Sequence, residues 1–179
     1  MITGKLVGLR AIEKSDLALL RDWRNNPKFR KNFREIRELS MSNQEAWFER
    51  IVLGSRDDFM FIIVRLEDNT PIGVCGLTYI NWIIRSADFS FYIGHEAKYI
   101  DNDGYAEEAA KLLIDYGFNI LNLHKIWTEL YEFDNIKISF LTGKLGFHKD
   151  GVLVDNCFEG GKYWNSYIVS ILAKEFRDK

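Results

Sequence analysis

The segment Asp101-Asn102-Asp103-Gly104-Tyr105-Ala106 lies between two runs of different period. Upstream, residues 87–93 alternate: Asp88, Ser90 and Tyr92 share one face, and Phe89, Phe91 and Ile93 share the other, as in a strand. Downstream, Ala106, Ala109, Ala110, Leu113, Tyr116, Gly117 and Ile120 recur at three- and four-residue steps. Glu107, Glu108, Lys111, Asp115 and Asn119 lie opposite them, which predicts an amphipathic helix. The segment is therefore a tight strand-to-helix loop. The small residue Gly104 lets backbone N–H groups approach a ligand, and a helix N-terminus with roughly half a positive charge suits a phosphate group.

The rest of the chain can be placed around this unit. Residues 5–10 read as a first strand, and Ser15 caps a helix to about residue 25 with Leu17, Leu20, Trp23 and Arg24 at helical spacing. Asn25-Asn26-Pro27 ends it, because the residue before a proline avoids the helical region. Ser42-Asn43-Gln44-Glu45 is a capping-box pattern and predicts a helix to about residue 53. Residues 59–66, 72–82 and 87–93 form three strands of an antiparallel meander, with turns at 67–71 and 85–86. Residues 124–133 form another strand, and Asp134-Asn135 begins a helix ended by Gly146. Residues 147–158 and 162–173 are strands joined by Glu159-Gly160-Gly161. The order β-α-α-β-β-β-α-β-α-β-β predicts a mixed α/β fold. Its central sheet of about seven strands is mostly antiparallel, is flanked by helices and contains one strand–helix–strand unit. With no repeat, low-complexity tract or linker, residues 1–179 read as one domain.

Hydrophobic residues make up 47% of the chain and aromatics 15%, enough for a substantial core. A net charge of −2 gives no global attraction to nucleic acid or an anionic membrane. No apolar run reaches 18 residues, and Met1-Ile2-Thr3-Gly4-Lys5 is no signal region. A cytoplasmic protein is expected, with no nucleic-acid or membrane partner. Cys75 and Cys157 read as free thiols without metal-ligand spacing, so no metal is expected. The charge is uneven, however. Residues 21–37 carry about +5 and the remainder about −7. The basic segment is either a solvated helix face or a patch that attracts an anionic ligand.

Asp101-x-x-Gly104-x-Ala106 at a helix start, followed by Asn135 and Lys144-Leu145-Gly146-Phe147, resembles the GNAT superfamily of N-acyltransferases. That family's loop reads Gln/Arg-x-x-Gly-x-Gly/Ala, so Asp101 departs from it at the first position. His124-Lys125-Ile126 and Gly104-Tyr105-Ala106-x-Glu108-Ala109 resemble the branch of ribosomal-protein and nucleotide-amino-sugar acetyltransferases. The resemblance implies acetyl-CoA, or another short acyl-CoA, as cosubstrate, direct attack of a neutral amine on the thioester, and a possible homodimer. Asn102, Asp103, Gly104, Tyr105 and Ala106 would cradle the diphosphate, and a backbone N–H at Tyr92, Ile93 or Gly94 would contact the acyl carbonyl. Asn135 would bond the pantetheine arm or cap its helix, and Lys137 and Lys144 would meet CoA phosphates or stay solvated.

Among candidate catalytic residues, the resemblance implies Asp88 as general base, unless it pairs with Arg85. His95, just past the same strand, is a candidate base or substrate contact. Thr142 stands where similar enzymes carry a tyrosine proton donor; a threonine hydroxyl is a far weaker acid, and its expected role is to hold a water. Trp23-Arg24-Asn25-Asn26-Pro27 resembles enzymes that acylate amino groups on nucleotide-linked deoxysugars. The diphosphate of such an acceptor would meet Arg24, Arg30, Lys31 and Arg34, and Trp23 or Phe33 would pack on a ring. Asn25 belongs to the same candidate set, while Tyr79 and Trp82 wall the acceptor pocket or fill core. A protein N-terminus as acceptor, or a CoA-binding regulatory module without turnover, are the other readings.

Overall fold

The computed structural model describes residues 1–177. Eight strands form one sheet. They are β1 (Ile2–Thr3), β2 (Val7–Ala11), β3 (Phe59–Arg65), β4 (Pro71–Asn81), β5 (Ser86–Ile93), β6 (Lys125–Tyr131), β7 (His148–Glu159) and β8 (Lys162–Leu172). Their spatial order is β1-β2-β3-β4-β5-β6-β8-β7. Neighbours are antiparallel except β5 and β6, which are parallel and joined by the crossover helix α3 (Tyr105–Asp115). The mixed, mostly antiparallel sheet is thus the expected one, with an added strand where Ile2 and Thr3 pair with Leu9 and Gly8. A two-residue strand carries no periodicity to read.

The other helices are α1 (Leu17–Arg24), α2 (Met41–Trp47), α4 (Asn135–Ser139) and α5 (Ala173–Arg177). Two helix starts differ from expectation. Ser40, not Ser42, caps α2: its hydroxyl accepts from the Asn43 amide, and the Asn43 side chain accepts from the Ser40 amide. At α1 a single turn over Lys14–Asp16 comes first, and Asp16, rather than Ser15, accepts the Glu13 amide and the Arg10 guanidinium. No helix among the described residues is long and apolar enough to cross a membrane.

The alternation of β5 divides the core in two. Phe89, Phe91 and Ile93 pack with Leu113 of α3 and with Phe140 and Phe147. Tyr92 packs on the opposite face with Trp23, Phe29 and Phe33. The start of α3 is tied to the sheet's far edge by Glu108. Its carboxylate accepts from the amides of Lys5, Leu6 and Val7 at 2.8, 2.7 and 2.8 Å. Partial burial works against the charged form, but the three amides outweigh it and hold the Glu108 carboxyl below its usual range.

A group whose folded-state pKa is lowered contributes fully above its ordinary value near 4.5 and loses that contribution as pH falls. Glu108→Gln is therefore expected to cost about 2 kcal/mol at neutral pH. In urea titrations the gap to the wild type should shrink steadily from about pH 6 to about pH 3. A pH-independent gap would mean that the carboxylate charge plays no part.

Candidate active site

The parallel ladder between β5 and β6 holds for only three pairs, Ser86↔Lys125, Ala87↔Ile126 and Asp88↔Trp127. Beyond them β5 follows β4 as far as Gly73↔Ile93, and β6 follows β8 as far as Tyr131↔Ser166. A gap therefore opens in the sheet, and the direction of each β5 amide decides what faces it. Gly94 N–H donates to Ile72 O at 2.9 Å. Alternation in an antiparallel ladder then turns the Tyr92 amide toward β4 as well, and the Phe91 amide, beyond the last β6 pairing, toward the gap. Ile93 N–H, on the gap side, donates to Tyr99 O at 2.8 Å. The amides of Tyr92, Ile93 and Gly94, the expected donors, are thus committed elsewhere, and the Phe91 amide is the one of this stretch turned to the gap.

The loop before α3 has the expected shape. Gly104 has φ +95°, and a Cβ there would meet only Leu6, at 3.6 Å. The departure from expectation is Asp101, a buried carboxylate that caps the helix itself. It accepts from the amides of Asp103 at 2.8 Å, Tyr105 at 3.1 Å and Ala106 at 2.6 Å. Those amides would otherwise be presented to an anion. Asp103 is in turn bound by Lys98 Nζ at 2.8 Å, and Asn102 is exposed.

On the other side of β5 lies an open cleft of roughly 470 Å³. A strap of residues 25–40, linking α1 to α2, forms one wall. The strap is closed on itself: Asn25 donates to Leu39 O at 2.9 Å and accepts the Leu39 amide at 2.8 Å, and Arg30 binds Glu38 and the Ile36 carbonyl. From the strap, Arg34 reaches Asp88, whose side chain is buried on β5. Arg34 Nε also lies 3.7 Å from Glu129 Oε2 on β6. Burial lowers the Arg34 pKa, but the charge and hydrogen bond of Asp88, with the Glu129 charge, more than offset this and raise it above its ordinary value.

Three further cations line this cleft without an ion-pair partner among the described residues: the exposed Arg50, Arg24 and Lys137. The Arg24 guanidinium stacks over the Phe33 ring at 4.1 Å, and desolvation lowers its pKa against the pull of Glu35. Lys137, partly buried at the start of α4, is also lowered by desolvation, with Asp134 and Asp88 acting the other way.

The remaining candidates fall into place as follows. Asp88, Tyr92, Arg24, Phe33, Tyr79 and Lys137 line the cleft. Trp23 is core, 7% exposed, packed edge-on to Tyr92 and against Gly94. Asn25 and Arg30 staple the strap rather than face a ligand. Trp82 donates to Asp57 at 2.8 Å and packs on Phe59, outside the cleft. His95 lies beyond β5 with its ring 3.8 Å from Glu96, also outside it. Thr142 is exposed and donates to the carbonyl of Ile138 in its own helix at 2.8 Å, so it is not aimed at the gap. Asn135 is exposed, and the cap of α4 is Asp134. Lys144 is exposed near Glu107.

Glu129 was not among the expected residues. Its Oε1 accepts from Asn156 Nδ2 and Ser166 Oγ, each at 2.6 Å, which fixes the carboxylate at the cleft. The available signal was its place opposite the face of Ile126, Thr128 and Leu130 in an alternating strand.

Residues 7–148 match the model of an acetyltransferase (GNAT) domain. The chain is 29% identical over 171 residues to the spermidine N(1)-acetyltransferase of Vibrio cholerae, covering 96% of this chain and 95% of that protein. It is 30% identical over 171 residues to the Escherichia coli enzyme of the same name, covering 95% and 88%. The crystal structure of the Vibrio cholerae spermidine N-acetyltransferase with CoA and spermine superposes with a TM-score of 0.85 at 28% identity, covering 97% of this chain and 99% of that one.

The contact between Gly94 and Trp23 has a measurable consequence. A Cβ at Gly94 would lie 2.1 Å from the buried Trp23 ring. Gly94→Ala should therefore destabilise the fold by about 1–3 kcal/mol through overpacking. A loss below about 0.5 kcal/mol in thermal or urea unfolding would show Trp23 to have room to move, as a ligand-facing ring would.

Proposed function

The chain belongs to the GNAT acetyltransferase family and is an N-acyltransferase, and from that premise we propose an anionic acceptor: it moves the acetyl group of acetyl-CoA to the amine of a nucleotide-linked amino deoxysugar. The observation that carries the acceptor is the pair Arg24 and Lys137, two largely desolvated cations in one cleft that form no ion pair among the described residues. Taking a charge out of water without a partner costs several kcal/mol, and a ligand phosphate removes that cost. A polyamine would add to it.

The chemistry follows from the placement of β5. Asp88 stands on the cleft face and takes a proton from the incoming amine, directly or through a water. The Phe91 amide, turned into the gap, donates to the carbonyl oxygen as charge develops on it. Thr142 takes no part, its hydroxyl being bonded to Ile138. A thiol of ordinary acidity, with a pKa of about 8.5, leaves as a thiolate without a dedicated donor. The glycine at 104 and the gap beside Phe91 suit a cosubstrate with a diphosphate and a thin arm. The Asp101 carboxylate opposes the diphosphate until it turns away.

A polyamine acceptor is the second reading, favoured by the spermidine acetyltransferases among the relatives and by the carboxylates Asp88 and Glu129 in the cleft. A panel separates the two: acetyl-CoA with UDP- and dTDP-linked amino deoxysugars, spermidine, and a peptide with a free N-terminus, followed by thiol release. A nucleotide sugar should give the largest kcat/KM, and Arg24→Met and Lys137→Met should each raise its KM about tenfold. Spermidine as the best acceptor, with both variants unchanged, would overturn the anionic assignment. On the donor side, Asp101→Gln should cost about 1 kcal/mol of stability as a weakened cap, yet bind CoA several-fold more tightly. Weaker CoA binding by a folded Asp101→Gln would place the diphosphate elsewhere.

A further inference from the structure

Arg34 joins three separate parts of the chain at one point. It comes from the strap, Asp88 from β5 and Glu129 from β6, and the two carboxylates meet its guanidinium where the strands part. The exposures are unequal. The Asp88 side chain is 5% exposed, whereas Arg34, which covers it, is 44% exposed. A buried carboxylate thus faces the cleft behind a cover that solvent can reach. Glu129 does not depend on that cover, since Asn156 and Ser166 already hold its Oε1 and leave Oε2 toward the cleft. One more acceptor lines the same space: Asn32 Oδ1 is buried and has no hydrogen-bond donor. This set of acceptors suits a cation with several N–H donors, which describes both a guanidinium and an alkylammonium.

We propose that Asp88 and Glu129 form the seat for the acceptor's protonated amine, and that Arg34 fills this seat until the acceptor displaces it. Arg34 is then a specificity-setting residue rather than a structural ion pair. A bare amine must break the Arg34 contacts with no return. An acceptor that also carries an anion gives the released guanidinium a new partner, so the exchange is close to even. The inference rests on the amine-acylating activity of the chain and not on the identity of the natural acceptor.

The test therefore uses n-propylammonium, which carries no anion, and measures binding by calorimetry. Arg34→Met, which keeps an apolar stem in place, should bind propylammonium about fivefold or more tightly than the wild type. Methylguanidinium, a stand-in for the lost side chain, should compete with propylammonium for that variant and leave the wild type unaffected. Adding Glu129→Gln or Asp88→Asn to Arg34→Met should weaken both ligands about fivefold. If Arg34→Met does not fold, Arg34→Gln serves in its place, and Arg34→Lys, which keeps a cation in the seat, should behave as the wild type. Equal propylammonium affinity in wild type and Arg34→Met would overturn the proposal. So would methylguanidinium that restores thermal stability without competing with the amine, the behaviour of a merely structural pair. A sugar panel that fails leaves these expectations unchanged.

Discussion

Three residue pairs of parallel ladder, from Ser86↔Lys125 to Asp88↔Trp127, are the whole of the strand pairing between the two halves of the sheet among the described residues. Everything in the site follows from where that pairing stops. Because β5 stays bound to β4 after losing β6, it remains a strand along an open flank. One strand then serves three surroundings. Phe89, Phe91 and Ile93 fill the core under α3, Asp88 and Tyr92 face the cleft, and the Phe91 amide faces the gap. Period-two geometry makes these roles compatible without a bend or a bulge.

The cleft itself is organised by charge. At its inner end two carboxylates from different strands converge on one guanidinium. In the same cleft Arg24 lies on the Phe33 ring, and Lys137, in the first turn of α4, lies within the influence of Asp88 and Arg34. This is the physical content of the basic stretch at residues 21–37: Arg30 and Arg37 bind within the strap, and Arg24, Arg34 and Arg37 line the cleft.

Much of this was legible in the amino-acid order, and the failures are specific. The faces of residues 87–93 and the helix after Gly104 were readable because alternation and helical spacing are local properties. The capping box was found two residues late, since Ser40 and Ser42 offer the same chemistry and only the backbone decides between them. Of Trp23 and Phe33, the two expected ring-packing residues, Trp23 is ruled out by its spacing with Leu17 and Leu20, which puts it on the buried face of α1. Which β5 amide faces the gap depends on register with β4, which composition does not encode. Asp101 was noticed as unusual, but its three amide partners depend on the fold of the loop. Glu129 and Arg34 meet only after both the strap and the gap have formed, so no local pattern announces their contact.

The ends of the sheet differ in the risk they carry. β1 offers only two residues to a passing strand, whereas β7 is a twelve-residue margin with Val152, Leu153, Val154 and Phe158 exposed. Such a margin would ordinarily invite another chain to add on. Here the register slips twice, between Lys149 and Gly151 and again between Leu153 and Cys157, and Asp155 sits at φ +50°. These breaks spoil the flat, evenly spaced template that fibrous stacking needs. The apolar margin can therefore stay open at high protein concentration without seeding aggregation.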